Sequence, residues 1–225
     1  MSLFAIADLH LSFGVSKPMD VFPGWDNHVA RLEENWLAAV SPEDTVVIAG
    51  DISWGMDLEE CLEDFRWLDR LPGRKLILKG NHDLWFSTKT KVEKFLAAHE
   101  LHSLEILFNN AFAWEDKVIC GTRGWMNDHT DKKVLNRECG RLRLSLEAGR
   151  KLGGEPVVFL HYPPVYGGDE CPEILEVLLE YGVRQVYYGH IHGYASGYAI
   201  NGVRHGIDFR LISCDYLQFK PKQIV

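Results

Sequence analysis

The chain has 225 residues, 46% hydrophobic and 25% charged, with 24 Lys+Arg against 32 Asp+Glu for a net charge of −8. This balance excludes a disordered chain, and its acidity argues against a protein that coats duplex nucleic acid or anionic membrane. The length suits one compact domain over residues 1–225. No apolar run approaches bilayer length, and Asp8 interrupts the N-terminal apolar stretch before it can act as a signal sequence. The five cysteines, Cys61, Cys120, Cys139, Cys171 and Cys214, never form Cys-x-x-Cys. They read as reduced core thiols of a cytoplasmic protein.

In chain order, short β-type runs alternate with helical periodicity. Leu3 to Asp8, Thr45 to Ala49, Lys75 to Lys79, Pro156 to Leu160 and Arg184 to Tyr188 are brief apolar runs, each ending in a polar or Gly-containing turn. Val29, Leu32, Trp36 and Val40 share one helical face, as do Leu58, Cys61, Leu62, Phe65 and Leu68. A third helix is predicted over residues 131–152, stopped by Gly153-Gly154. Residues 104–121 read as short strands parted at Asn109-Asn110 and Glu115-Asp116, and Tyr198 to His205 as a hairpin turning at Asn201-Gly202. These elements predict an α/β protein, with mixed sheets and helices outside.

Chemistry gathers where the strands end. Asp8 and His10 close the first run, and residues two apart on extended chain point to one side, so both can meet one cation. The second run ends in Gly50-Asp51, the third in Gly80-Asn81-His82-Asp83, the fourth in His161, and the fifth in Gly189-His190-Ile191-His192. Each piece alone has a bland reading as a turn former, a helix cap or a satisfied histidine. Five in order, each after its own strand, point instead to one ligand-binding edge. Two carboxylates, one amide and four imidazoles (His10, His161, His190, His192) are too many donors for one tetrahedral ion, and none is a thiolate. A two-metal site divides them, with one carboxylate between the ions and an acidified water as nucleophile. The mixed donors suit Mn first, with Fe, Zn or Co also accommodated, over Ca or Mg.

These blocks resemble the signature of the calcineurin-like metallophosphoesterases, specifically a small bacterial branch of predicted phosphohydrolases that also shares Lys17-Pro18-Met19-Asp20-Val21-Phe22 and Gly121-Thr122-Arg123-Gly124-Trp125. The resemblance implies a four-layer αββα sandwich of two mixed sheets flanked by helices. It implies that Asp8, His10, Asp51 and His192 hold one metal and Asp51, Asn81, His161 and His190 the other, with Asp51 bridging. His82 would assist the leaving group as a catalytic residue, oriented by Asp83. The block Gly50-Asp51-Ile52-Ser53-Trp54-Gly55 lacks the Asp-Arg-Gly of the family's protein-phosphatase branch, which argues against phosphoprotein substrates.

The expected activity is therefore hydrolysis of a phosphate mono- or diester on a small or medium phosphorylated substrate. A nuclease is the alternative, but the basic cap or domain it would call for is not read in the chain. A non-catalytic module is a further alternative, disfavoured because no ligand is missing. Arg123, between two glycines, is the candidate phosphate clasp. Residues 122–151 hold eight Lys/Arg against four Asp/Glu, read as a solvated helix face. Selectivity is expected in loops 11–27 and 122–130. Oligomeric state is not legible.

Overall fold

The computed structural model describes residues 1–125 and 132–224; the part of the predicted selectivity loop at 126–130 lies outside them. The first half is a run of βα units: β1 (Leu3–Ile6), α1 (His28–Ala39), β2 (Thr45–Ile48), α2 (Leu62–Arg70), β3 (Arg74–Ile77), α3 (Lys89–Ala98) and β4 (Leu104–Ile106). Helical crossovers force parallel pairing, and β1, β2, β3 and β4 pair in parallel in that order. The apolar face read on α1 buries Leu32 and Trp36. Helix α2 starts later than its periodicity suggests, because Leu58 and Cys61 pack from a turn ahead of it. Helix α3, not legible beforehand, is capped by the Thr88 hydroxyl, which accepts from the Lys91 N–H at 3.3 Å.

After β4 the chain crosses to a second sheet. It forms β5 (Ala111–Trp114), β6 (Lys117–Thr122), α4 (Lys132–Leu152), β7 (Glu155–Leu160), a small hairpin of β8 (Val165–Tyr166) and β9 (Asp169–Glu170), α5 (Pro172–Glu180) and β10 (Gln185–Tyr188). A 3-10 turn at Gly193–Tyr198 leads into β11 (Gly202–Arg204) and β12 (Ile207–Leu211); β13 (Lys222–Gln223) returns to pair antiparallel with β1. The second sheet runs β11-β12-β10-β7-β6-β5, its four inner strands parallel. The late hairpin turns at His205-Gly206 rather than at the expected Asn201-Gly202. Both turn residues take positive φ, 53° and 79°, joining the paired Arg204 and Ile207. Such a two-residue turn matches the strand twist, while Asn201 spends its side chain accepting from the Leu211 N–H at 3.0 Å.

Strand alternation decides the layers. Leu3, Ala5, Val47, Leu76, Val157, Phe159 and Tyr187 face inward and form the core between the sheets. Their neighbours Phe4, Ile6, Val46 and Ile48 pack outward under α1 to α3, and Val158, Leu160, Val186 and Tyr188 under α4 and α5. The result is the expected four-layer αββα sandwich. At one edge the sheets are tied together by the parallel bridge of Ala7 to Ser213. All the parallel strands therefore deliver their C-terminal ends to one region. Among the described residues no helix is long and apolar enough to cross a membrane.

Candidate metal centre

The loops after β1, β2, β3, β7 and β10 bring the strand-end residues together. Asp8, His10 and His192 form one group and Asp51, His161 and His190 another; within each, one donor atom per residue lies within 4.8 Å of the others. Asp8, Asp51 and His161 are almost fully buried. Four of these positions, Asp8, His10, Asp51 and His190, adopt positive φ of 62°, 48°, 51° and 73°. Left-handed backbone costs energy in residues with a Cβ and clusters where function demands it. Here it turns each side chain back over the strand ends. Two glycines permit the approach: a Cβ at Gly80 would sit 2.1 Å from Asp51 Oδ1, and one at Gly189 would sit 2.7 Å from Asp8 Oδ2.

Hydrogen bonds aim the donors. His161 Nδ1 lies 3.1 Å from the Ala49 carbonyl, which places the ring proton on that nitrogen and leaves Nε2 as a lone pair. That lone pair faces Asn81 Oδ1 at 2.6 Å and Asp51 Oδ2 at 3.4 Å. Three acceptors thus converge with no donor among them. Among the described residues, Asp8 Oδ1 and His10 Nδ1 are likewise buried without a hydrogen-bond partner. A cation is what such atoms lack, so the residues present fit a bound metal.

The electrostatics agree. Burial holds His161 and His190 down at about 3 and His10 well below its usual range, keeping these rings neutral and able to ligate. Burial lifts the Asp8 and Asp51 carboxyls above the ordinary carboxylate range, with Asp51 adding its repulsion to Asp8. His192 differs. Burial disfavours its charge, but Asp8 and then Asp215 outweigh that and raise it to about 9.

Asp215, which sequence reasoning missed, accepts from His192 Nδ1 at 2.9 Å and from the Gly193 N–H at 2.8 Å. A carboxylate behind an imidazole orients it and raises its basicity toward a metal. The available signal was its place just beyond β12, a sixth strand end on the same edge.

The catalytic candidates are placed differently from one another. His82 is exposed above the centre, its ring centroid 4.6 Å from that of Trp54 and 5.8 Å from that of His10, and its backbone N–H donates to Asp51 Oδ1 at 2.8 Å. Asp83 is buried beneath. Its carboxylate accepts from the N–H groups of Asp51 (2.8 Å), Ile52 (2.8 Å) and Gly80 (2.7 Å) and from the Trp85 indole (3.0 Å). The expected contact with the His82 ring is not among these bonds, so Asp83 clamps two ligand loops together. Arg123 follows β6 one strand further along. Its carbonyl accepts from the N–H groups of His161 and Tyr162 at 3.1 and 2.9 Å, and its guanidinium pairs with buried Glu138.

The sequence profile of the calcineurin-like phosphoesterases matches residues 1–194. The chain belongs to that family. Among solved structures, phosphopantetheinyl hydrolase of Mycobacterium tuberculosis superposes with a TM-score of 0.61 at 14% identity, covering 100% of this chain and 95% of its own. A protein of unknown function from Aquifex aeolicus gives a TM-score of 0.55 at 18% identity, covering 99% and 95%. At these identities the likeness is one of fold. Gene 66 proteins of mycobacteriophages L5 and D29 are each 40% identical, over 58 and 79 residues. Those matches cover 26% and 34% of this chain and 28% and 38% of the phage proteins.

Proposed function

We propose that the chain hydrolyses a phosphate ester of a small phosphorylated substrate at a dinuclear centre. Asp8, His10 and His192 would hold one divalent ion and Asn81, His161 and His190 the other, with Asp51 shared between them. The observation that carries this reading is the convergence of acceptor atoms: His161 Nε2, Asn81 Oδ1 and Asp51 Oδ2 on one side, and on the other Asp8 Oδ1 and His10 Nδ1, which have no hydrogen-bond partner among the described residues. When bound, the ions would supply Lewis acidity, stabilising charge on the phosphoryl oxygens and lowering the pKa of a coordinated water so that it could serve as the nucleophile. The mixed imidazole and carboxylate set favours Mn, with Fe, Zn or Co as alternatives.

The chain's own residues do the rest. His82, exposed above the buried ligands, stands where a leaving oxygen would emerge and delivers its proton there. Trp54 and Trp25 flank His10, with ring centroids at 4.8 and 5.7 Å, and screen it from water. Asp215 sets the tilt of His192, and Asp83 holds the loops of Asp51 and Asn81 in register. The test is turnover of p-nitrophenyl phosphate and of its bis-ester by metal-loaded protein. Wild type is expected to hydrolyse at least one, chelator to abolish this, and Asp51→Asn and His82→Ala each to lower kcat by a hundredfold or more (about 3 kcal/mol). No turnover of either ester with any of Mn, Fe, Zn or Co would sink the reading.

A further inference from the structure

Beyond the metal centre, the next rank of strand ends carries a second cluster of charge. Arg123 follows β6 in the second sheet, beside the β7 strand that delivers His161. Beside it lies Glu138 of α4, fully buried. It accepts from the Thr122 hydroxyl at 3.1 Å, pairs with Arg141 Nη1 at 2.6 Å and lies 3.5 Å from Arg123 Nη2. Arg141, Arg123 and, at 3.9 Å, Arg137 are three cations around one carboxylate. The cluster keeps a surplus of positive charge.

It also has donors with nothing to donate to. Arg123 Nε and Trp125 Nε1 are both buried without a hydrogen-bond partner among the described residues, and the Arg123 guanidinium carbon lies 5.1 Å from the Trp125 ring centre. Two orphaned N–H groups, two residues apart in the chain and in a cationic cluster, call for an oxyanion. The spacing from the metal centre is short: Tyr162 lies 5.9 Å from the Arg123 guanidinium on one side and 4.4 Å from the His190 ring on the other. One aromatic ring separates the two sites.

We propose that Arg123 and Arg141, with the Trp125 indole, form a second oxyanion subsite that seats a phosphate on the organic part of the substrate, one ring's width from the scissile phosphate. The substrate class is then a bisphosphorylated small molecule with a ring-sized spacer, rather than a diphosphate, whose two groups would both fall on the metals. Glu138 holds the guanidinium forks in place without cancelling their charge, and a planar fork suits a phosphate in two-pronged contact. This proposal rests on the phosphoesterase reading above.

The experiment compares fructose 1,6-bisphosphate with fructose 6-phosphate on metal-loaded protein. Wild type should favour the bisphosphate by roughly tenfold or more in kcat/KM, mainly through KM. Arg141→Gln should bring that ratio close to one, and Arg141→Lys, which keeps the charge, should restore part of it. A second arm needs no turnover: the bisphosphate should raise the thermal midpoint of the metal-loaded protein more than the monophosphate does, and Arg141→Gln should erase the difference. A wild-type ratio of one, with p-nitrophenyl phosphate still turned over, overturns the subsite and leaves the phosphoesterase reading standing. Equal losses for both sugars in Arg141→Gln make Arg141 a structural partner of Glu138 and also overturn the subsite. If no ester is hydrolysed, the phosphoesterase reading fails, and the thermal difference alone decides whether the anion seat exists.

Discussion

Replacing Asp83 by asparagine isolates what a buried carboxylate does in this centre. One oxygen of Asp83 accepts from the N–H groups of Asp51 and Gly80 at 2.8 and 2.7 Å; the other accepts from Ile52 at 2.8 Å and from the Trp85 indole at 3.0 Å. Asparagine keeps the shape but presents an NH2 to one of these pairs, so two buried donors face a donor. Each stranded N–H costs about 1–3 kcal/mol, so the substitution should cost about 2–6 kcal/mol out of a total stability of about 5–15. Burial and the nearby Asp51 lift the Asp83 carboxyl, so the comparison belongs at pH 8, where wild type carries the ion. Urea unfolding of the metal-free protein should show a midpoint lower by about 1 M or more. Metal affinity should fall as well, because the loops bearing Asp51 and Asn81 lose their shared clamp. If Asp83→Asn unfolds with the wild-type midpoint and binds metal normally yet loses turnover, the clamp is wrong and the role orienting His82 is right.

Three further outcomes follow from the geometry. Asp215→Asn removes the carboxylate behind His192 and should weaken metal binding by about 10–100-fold, with the His192 pKa in metal-free protein falling from about 9; titration by NMR showing no fall contradicts this. Metal binding at pH 7 should release protons, since His192 is charged there and Asp8 and Asp51 are lifted toward neutrality, while His161 and His190 are already neutral. Affinity should therefore fall as pH drops below 7, and calorimetry in buffers of different ionisation enthalpy should count at least one proton per chain. Lys75 is buried with its ammonium bonded to the Leu71 carbonyl and Ser103, and burial lowers it from 10.5 to about 8 despite Asp69. The unfolded chain then binds more protons between pH 8 and 10.5, so stability should rise across that window by up to about 3 kcal/mol. Lys75→Met should flatten the rise, as read from unfolding midpoints at pH 7.5 and 10.

The parts of this molecule that were legible in its sequence are those encoded by local rules. Brief apolar strands ending in Gly-Asp, Gly-Asn-His-Asp and Gly-His-x-His put chemistry at predictable places, and the parallel pairing that joins them follows from βα alternation. What stayed hidden depends on distant partners. Asp215 has no motif around it and matters only because β12 lies beside β10, bringing it under His192. Asp83 reads as part of a motif, but its reach across the Asp51 and Gly80 backbones is a tertiary fact. Glu138 looks like one more charge on a basic helix, and only α4 packing on β6 shows it buried among arginines. The hairpin erred for a related reason: Asn-Gly is a strong turn signal, but Asn201 is committed to the Leu211 N–H, and His205-Gly206 supplies the required positive φ instead.

The two-ion centre bridged by Asp51 is tested most directly by counting metal. Elemental analysis of purified, Mn-loaded wild type should find two ions per chain, and Asp51→Asn should retain one or none while losing turnover of p-nitrophenyl phosphate. A wild-type protein that saturates at one ion with full activity, or an Asp51→Asn variant that keeps two ions and its turnover, would contradict the account.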